Sequence, residues 1–167
     1  MLIRSEDPKD VASLHAVNCA AFETQAEANL VDILRKETSP IVSLVAEVEG
    51  VVVGHIMFSP VSLSGYTELK IMGLGPMAVM PEHQRKGIGS ALIKAGLEKC
   101  RDLGYGAVIV LGHPEYYPRF GFRPSIVYDI SSEYQVPEEV FMVIELQPGY
   151  LDGASGAIKY HPAFNNV

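Results

Sequence analysis

Cysteine is scarce in this sequence, and long apolar runs are absent from it. The two cysteines, Cys19 and Cys100, are too few and too far apart for a disulfide framework or a zinc cluster, so we expect two reduced thiols. No apolar run reaches the roughly 18 residues of a membrane-spanning helix. The first residues, MLIRSEDPKD, lack the apolar segment of a signal peptide, so we predict a cytoplasmic protein with no membrane partner.

Basic residues are outnumbered by acidic ones. The chain has 13 Lys and Arg against 20 Asp and Glu, a formal net charge of −7, which argues against a nucleic-acid partner and suits a cationic small-molecule substrate. Apolar residues, by contrast, are sufficient for a full core, because they make up 48% of the 167 residues. With no internal repeat and no obvious linker, the chain is predicted to be a single domain over residues 1–167.

The hydrophobic pattern predicts alternating strands and helices. It predicts a strand at LIRSE, a helix beginning at Asp7-Pro8 and a second helix over AEANLVDILRKE. Three strands follow in IVSLVAEVEG, VVVGHIMFSPVSLS and LKIMGLGPMAVM, with a tight hairpin at Glu49-Gly50. A helix then runs from about Gly87 to Leu103, followed by strands in AVIVLG, VFMVIEL and GAIKYHPAF and by a short helix after the first of these. This order predicts an α/β domain.

The stretch PEHQRKGIGS places two glycines and two basic residues where the third long helix begins. The first N–H groups of a helix have no partners within it, and the helix dipole adds partial positive charge there. Without Cβ atoms at Gly87 and Gly89, a phosphate can approach these groups, and Arg85 and Lys86 add full charges. The alternative is a flexible loop with a solvated basic pair. The P-loop pattern is absent, and Leu92 replaces the third glycine of the dinucleotide fingerprint.

The strand before this turn is interrupted by two glycines and a proline, in GLGPMAVMP. Proline cannot donate to a sheet, and glycine within a strand often marks a bulge or a close backbone approach. The interruption would leave backbone groups of Met77, Ala78 and Val79 free for an extended ligand. The alternative is an edge strand that binds nothing.

With its interrupted strand and glycine turn, the sequence resembles the GCN5-related N-acetyltransferase (GNAT) superfamily. LGPMAVMPEHQRKGIGSALI is similar to that family's strand, Gln/Arg-x-x-Gly-x-Gly/Ala turn and helix. VLGHPEYYPRFGF resembles the end of its fifth strand and its fourth helix, and GAIKYHPAF the ending of a small single-domain subgroup of predicted acetyltransferases. The resemblance covers nearly the whole chain. It implies the GNAT fold, a central mixed, mostly antiparallel sheet with helices on both faces.

The resemblance implies acetyl-CoA as the co-substrate and no metal. The pyrophosphate would rest on the glycine turn, and the pantetheine arm would pair with the interrupted strand. The cofactor-binding residues implied in this way are Met77, Ala78, Val79, Gln84, Arg85, Lys86, Gly87, Ile88, Gly89 and Ser90.

The resemblance also implies a proton donor for the departing thiolate. In this family the donor is commonly a tyrosine four residues before the glycine of a Gly-Phe pair, and Tyr117 has that position relative to Gly121-Phe122. Tyr116 is the second candidate. The asparagine that many members carry early in this connection is missing here, where Gly112-His113-Pro114 stands. Pro118 is expected to kink or shorten the helix.

A base for the amine is expected near the first two helices, which partly wall the acceptor site in the family. Glu27 fits the acidic position of the subgroup best, with Phe22 and Glu23 nearby, so Glu27 is the predicted catalytic base. The alternative is a solvated or helix-capping glutamate. His113 and Glu115 are further candidates. Their His-x-Glu spacing is also found in zinc deaminases, but those enzymes need a downstream Pro-Cys-x-x-Cys as well, and this chain has no cysteine after Cys100.

The predicted function is therefore that of an acetyl-CoA-dependent N-acetyltransferase acting on a primary amine of a small molecule or peptide. The alternative from another class is a non-catalytic acyl-CoA-binding or sensing domain, which would keep the glycine turn and could dispense with Tyr117 and the base. Sheet edges and the C-terminal strands are compatible with a homodimer.

Overall fold

The computed structural model describes all residues from Met1 to Val167. Its α-helices are α1 (Val11–Ala21), α2 (Ala26–Glu37) and α3 (Ile88–Asp102). Its strands are β1 (Leu2–Ser5), β2 (Val42–Val48), β3 (Val51–Leu63), β4 (Ile71–Val79), β5 (Ala107–Leu111), β6 (Arg123–Pro124), β7 (Ile130–Ser132), β8 (Phe141–Glu145) and β9 (Gly156–Lys159). None of the helices combines the length and the apolar character needed to cross a membrane.

Local sequence signals predict most of these elements. The bounds of α2 are the predicted ones, with Glu27 in its first turn and Arg35 and Lys36 in its last, where they complement the helix dipole. The hairpin between β2 and β3 turns at Glu49 and Gly50, whose φ angles of 53° and 79° suit a two-residue turn.

Three predictions differ from the structure in detail. The strand predicted over GAIKYHPAF ends at Lys159, and Pro162, which cannot donate to a sheet, begins a 3-10 turn, Pro162–Asn166. The short helix after β5 is a 3-10 turn, Tyr117–Phe120, because Pro118 lacks the N–H that a longer α-helix would need. Strands β6 and β7 were not predicted, because segments of two and three residues are too short to show alternation.

The chain divides into two compact units. The first contains Met1–Ser59, Gly75–Lys99 and Pro162–Val167, and the second contains Pro60–Leu74 and Cys100–His161. Strand β3 runs from the first unit into the second, and β4 runs back again. The single domain predicted over residues 1–167 stays a prediction.

In the first unit, β1, β2 and β3 form antiparallel ladders. Arg4 links them by donating to Asp10 at 2.7 and 3.0 Å and to Glu47 at 2.9 Å, which joins β1 to β2 and to the start of α1. Helix α2 packs on Met57 of β3 and on Ala163 near the C-terminus through a row of buried residues, Leu30, Val31 and Leu34.

Helix α3 lies close to β3. A Cβ atom on Gly96 of α3 would lie 2.2 Å from Cε1 of Phe58, so only glycine fits where the helix meets this buried ring. Lys94, Glu98 and Arg101 line the opposite, exposed face of the helix. Near its N-terminal end, where the glycine turn lies, α3 also packs on β3, because a Cβ atom on Gly54 would lie 3.1 Å from Cγ2 of Ile88 and 3.2 Å from Cδ1 of Leu92.

In the second unit, β4 pairs in parallel with β5, and β5 and β6 pair antiparallel with β8. Strand β9 pairs antiparallel with the end of β3 and in parallel with β7. The core of this unit is a cluster of buried side chains that includes Leu63, Ile71, Ile109, Val143 and Ile158. The predicted α/β class with a mixed, mostly antiparallel sheet is confirmed, because β4–β5 and β7–β9 are the parallel pairs in the two units.

Candidate active site

Strand β4 changes its pairing in the middle. Its register with β5 covers Ile71–Leu74 opposite Ala107–Val110 and ends before Gly75. Gly75 has a φ of 147°, a conformation that L-residues rarely adopt, and Pro76 cannot donate to a sheet. The interruption expected from the sequence therefore lies directly before the predicted pantetheine-binding residues, of which Ala78 is buried and Met77 and Val79 are half-buried.

The turn after β4 is hydrogen-bonded to β3 and to the end of β4. The backbone N–H of Met80 donates to the carbonyl of Val53 at 2.8 Å, and the Gln84 amide donates to the carbonyl of Val79 at 3.0 Å. The Gln84 bond joins the two stretches of predicted cofactor-binding residues. The sequence places Gln84 in the turn, but the hydrogen bond depends on the folded position of β4 and has no signal in the sequence.

Glycine is required in the turn by its backbone geometry. Gly87 has a φ of 84°, in the left-handed region, and its carbonyl accepts the first helical bond, from the N–H of Ala91 at 3.1 Å. A Cβ atom there would meet nothing within 4 Å, so the space beside this backbone is open. The exposed side chains of Arg85 and Lys86 flank it. The beginning of α3 is therefore an accessible, electropositive backbone surface of the kind that binds phosphate.

Glu27 lies in the first turn of α2 and is half-buried. Its Oε1 atom is buried and has no hydrogen-bond partner in the structure. An unpaired buried carboxylate oxygen is unfavourable unless a ligand or water satisfies it. Glu23 in the preceding connection is exposed, and Phe22 is half-buried at the end of α1. The structure thus distinguishes Glu27 from its acidic neighbour.

Tyr117 belongs to the second unit and is 7% exposed. Its ring contacts Tyr116 and Phe122 edge-on, with centroid distances of 5.2 and 5.6 Å. A Cβ atom on Gly112 would lie 2.4 Å from Cε2 of Tyr117, so the glycine that departs from the family pattern makes room for this ring. Burial, and then neighbouring Tyr116, raise the pKa of Tyr117 to about 12, so its hydroxyl stays protonated at neutral pH.

The further base candidates are exposed to solvent, and two other histidines contact polar neighbours. His113 and Glu115 are exposed in the segment before Tyr117. His55 is buried between Ser43 and Asn18, and His15 contacts Asp32 at 3.1 Å. Nowhere does the structure bring three or more His, Cys, Asp or Glu side chains into a group that could hold a metal.

The chain has known counterparts. The model of the Acetyltransferase (GNAT) family matches residues 11–122. The chain belongs to this family. The uncharacterized N-acetyltransferase YhbS of Escherichia coli (strain K12) is 37% identical over 166 residues, which cover 99% of each chain. The resemblance stated from the sequence is therefore confirmed.

Solved GNAT structures confirm the predicted fold as well. A crystal structure of E. coli YhbS in complex with CoA matches with a TM-score of 0.91 and 36% identity, over 98% of this chain and 91% of that one. A GNAT acetyltransferase from Brucella melitensis in complex with acetyl-CoA matches with a TM-score of 0.80 and 37% identity, over 98% and 97% of the two chains. The chain is an enzyme of the N-acetyltransferase class.

Proposed function

We propose that this GNAT enzyme transfers the acetyl group of acetyl-CoA to a primary amine of a small molecule or peptide. The observation that carries the proposal is the glycine turn, which follows the interruption of β4 and presents open backbone with two exposed basic side chains. The CoA and acetyl-CoA bound by the two similar solved proteins support the same donor for this chain.

In the proposed complex, the diphosphate of acetyl-CoA lies against the backbone from Gln84 to Ser90. Gly87 and Gly89 permit the close approach, and Arg85 and Lys86 offset the negative charge. The pantetheine arm extends along Met77, Ala78 and Val79 as an added strand, which brings the thioester to the interruption of β4. No metal is required, because the acyl donor is already activated as a thioester.

The reaction is a nucleophilic acyl transfer. The lone pair of a neutral amine attacks the thioester carbonyl, a C–N bond forms, and the C–S bond breaks with its electron pair on sulfur. A backbone N–H near Ala78 or Val79 stabilises the oxyanion of the tetrahedral intermediate. The amine nitrogen loses one proton and the departing sulfur gains one, so the products are an amide and CoA thiol.

Tyr117 is the proposed donor to the departing sulfur. A phenol with a pKa of about 12 is a weak acid towards a thiolate whose ordinary pKa is near 8.5. Its contribution is therefore a hydrogen bond that strengthens as charge develops on sulfur, and full proton transfer is favourable only if the sulfur is desolvated too. Tyr116, half-buried beside it, is the second candidate.

Glu27 is the proposed base for the amine. The unpaired Oε1 atom supports this role, because a substrate ammonium would give this oxygen both a charge and a hydrogen-bond partner. A carboxylate that first binds the ammonium and then accepts its proton would favour cationic acceptors over neutral ones. The net charge of −7 is consistent with such acceptors.

We also propose that the protein is located in the cytoplasm and that it forms a homodimer. The location is supported by two free thiols, half-buried Cys19 and buried Cys100, since exported proteins commonly pair their cysteines. The homodimer is supported by the edge strands β1 and β6, each of which pairs with a neighbouring strand on one side only.

The proposal is tested by calorimetry with acetyl-CoA, followed by a CoA-release assay with a panel of small amines and peptide N-termini. We expect micromolar binding, about −8 kcal/mol, and amine-dependent release of CoA. Absence of acetyl-CoA binding would contradict the proposed donor site. Binding without turnover on any amine would instead favour the acyl-CoA-sensing alternative.

A further inference from the structure

The parallel ladder of β7 and β9 brings two tyrosines together beyond its last pair. Its register is Ile130 opposite Gly156, then Ser131 opposite Ala157 and Ser132 opposite Ile158. Continued by two residues, the same register places Tyr134 opposite Tyr160. The two rings are neighbours in the structure, with centroids 5.4 Å apart and planes tilted by 35°. The pairing therefore follows from the ladder.

Glu133 places a carboxylate beside the backbone of this ring pair. Its Oε1 atom accepts the backbone N–H of Tyr160 at 2.8 Å, and its own N–H donates to the carbonyl of Ile158 at 3.2 Å. Burial and the Glu133 charge together raise the pKa of both tyrosines, so the carboxylate acts electrostatically on each phenol. Tyr134, Tyr160 and Glu133 are called the Tyr–Glu cluster below.

One side of the cluster is anchored and the other is accessible. Tyr160 packs against the core of the second unit, and a Cβ atom on Gly73 of β4 would lie 3.7 Å from its Cε1 atom. Tyr134 is half-buried and Glu133 is exposed, so solvent reaches both. Lys159 is the residue opposite Glu133 when the register of β7 and β9 is continued, but no ion pair joins the two side chains. The Glu133 carboxylate is therefore available to a cation from solution.

We propose that the Tyr–Glu cluster binds a positively charged group of the acetyl acceptor. A cation over the face of a tyrosine ring is attracted by the electrons of that ring, and an adjacent carboxylate adds a full opposite charge and a hydrogen-bond acceptor. The hydrogen bond to the backbone N–H of Tyr160 does not explain the charge at position 133, because a neutral glutamine could accept the same bond. A cationic ligand would explain it.

The position of the cluster gives it a role in substrate choice. Tyr160 lies against Gly73, two residues before the Gly75-Pro76 interruption of the strand along which the acyl donor is proposed to extend. The inference rests on the proposed function and specifies its acceptor as a cationic amine, such as a diamine or a peptide with a basic side chain.

The test is an NMR titration of the full chain labelled with ¹³C in its tyrosine rings. The probes are 1,4-diaminobutane, a dication at neutral pH, and 1,4-butanediol, a neutral molecule of similar shape. We expect the diamine to shift the Tyr134 and Tyr160 signals saturably, with a Kd of order 1 mM, and the diol to leave them unchanged. Glu133→Gln should weaken diamine binding about tenfold.

Glu138→Gln is the matched control, since it removes the same charge from a nearby exposed position. Tyr134→Leu, which removes a ring from a half-buried site, should weaken binding as Glu133→Gln does. The proposal is overturned if the wild-type signals do not shift, if the diol shifts them equally, or if both glutamine variants weaken binding alike. Acetyl-CoA affinity and CoA release, measured on the same variants, report separately on the donor site and on transfer.

Discussion

Tyr117 combines a buried hydroxyl with a ring held by its neighbours. Tyr117→Phe keeps the ring contacts with Tyr116 and Phe122 and removes the hydroxyl. We expect kcat to fall roughly 10²–10⁴-fold, because the departing sulfur loses its hydrogen-bond donor, while KM for acetyl-CoA stays near the wild-type value. Steady-state CoA release measures both constants.

Tyr116→Phe is the comparison for this variant, because the two rings are adjacent. It should retain most of the activity. If Tyr116→Phe loses activity and Tyr117→Phe does not, the donor role belongs to Tyr116.

Because the pKa of Tyr117 is raised to about 12, loss of its proton should not lower the rate between pH 6 and 10.

Glu27 differs from the other acidic residues of its region in having a buried, unpaired oxygen. Glu27→Gln keeps the shape and removes the charge. We expect a higher KM for the amine and a pH–rate profile shifted upward, because free alkylamines hold their proton until about pH 10. Exposed Glu23→Gln is the control and should leave the profile unchanged. Identical profiles for Glu27→Gln and wild type would remove Glu27 from the mechanism.

At the scale of elements, the start of α3 serves both packing and binding. Gly89→Glu puts bulk and negative charge where the diphosphate is proposed to lie. An acidic residue in the first turn of a helix is favourable for the helix itself, so the fold should survive. We expect calorimetry to detect no acetyl-CoA binding and circular dichroism to show an unchanged spectrum.

Gly89→Gln separates the two effects of that substitution, because it has nearly the same size without the charge. It should bind acetyl-CoA more weakly than wild type but more strongly than Gly89→Glu. Wild-type affinity in Gly89→Glu would contradict the placement of the diphosphate on this turn.

At the scale of the whole molecule, buried His55 links stability to pH. Its Nε2 lies 2.8 Å from Oγ of Ser43 and its Nδ1 lies 3.2 Å from Nδ2 of Asn18. The Asn18 amide also donates to the carbonyl of Leu14 at 3.0 Å, so Nδ1 of His55 is the acceptor and the neutral ring fits. Burial lowers the pKa of His55 to about 4, from an ordinary value near 6.5.

The unfolded chain therefore binds a proton at a higher pH than the folded one. Stability should be constant above pH 6.5 and should fall by about 3 kcal/mol as the pH drops to 4, since each unit of pKa difference corresponds to about 1.4 kcal/mol. Urea unfolding between pH 4 and 8 measures this slope. His55→Gln should flatten it, and exposed His113→Gln should not. Equal slopes in wild type and His55→Gln would assign the acid sensitivity to other groups.

The sequence by itself determined the elements whose signals are local. The bounds of α2 follow from its own periodicity and terminal charges, and the β2–β3 hairpin follows from Glu49-Gly50. The glycine turn could also be predicted from the sequence, because the strand, the two glycines and the helix that form it are adjacent in the chain. Most of the donor site could therefore be predicted, since its residues lie within one short stretch.

Only the tertiary structure decided the features that depend on residues distant in the chain. The Tyr134–Tyr160 pair requires the parallel register of β7 and β9, and strands of three and four residues carry too little alternation to reveal it. The unpaired oxygen of Glu27 and the space that Gly112 leaves for Tyr117 likewise depend on packing. Local sequence encodes dihedral preferences and capping, whereas burial, register and hydrogen-bond satisfaction arise when remote segments meet.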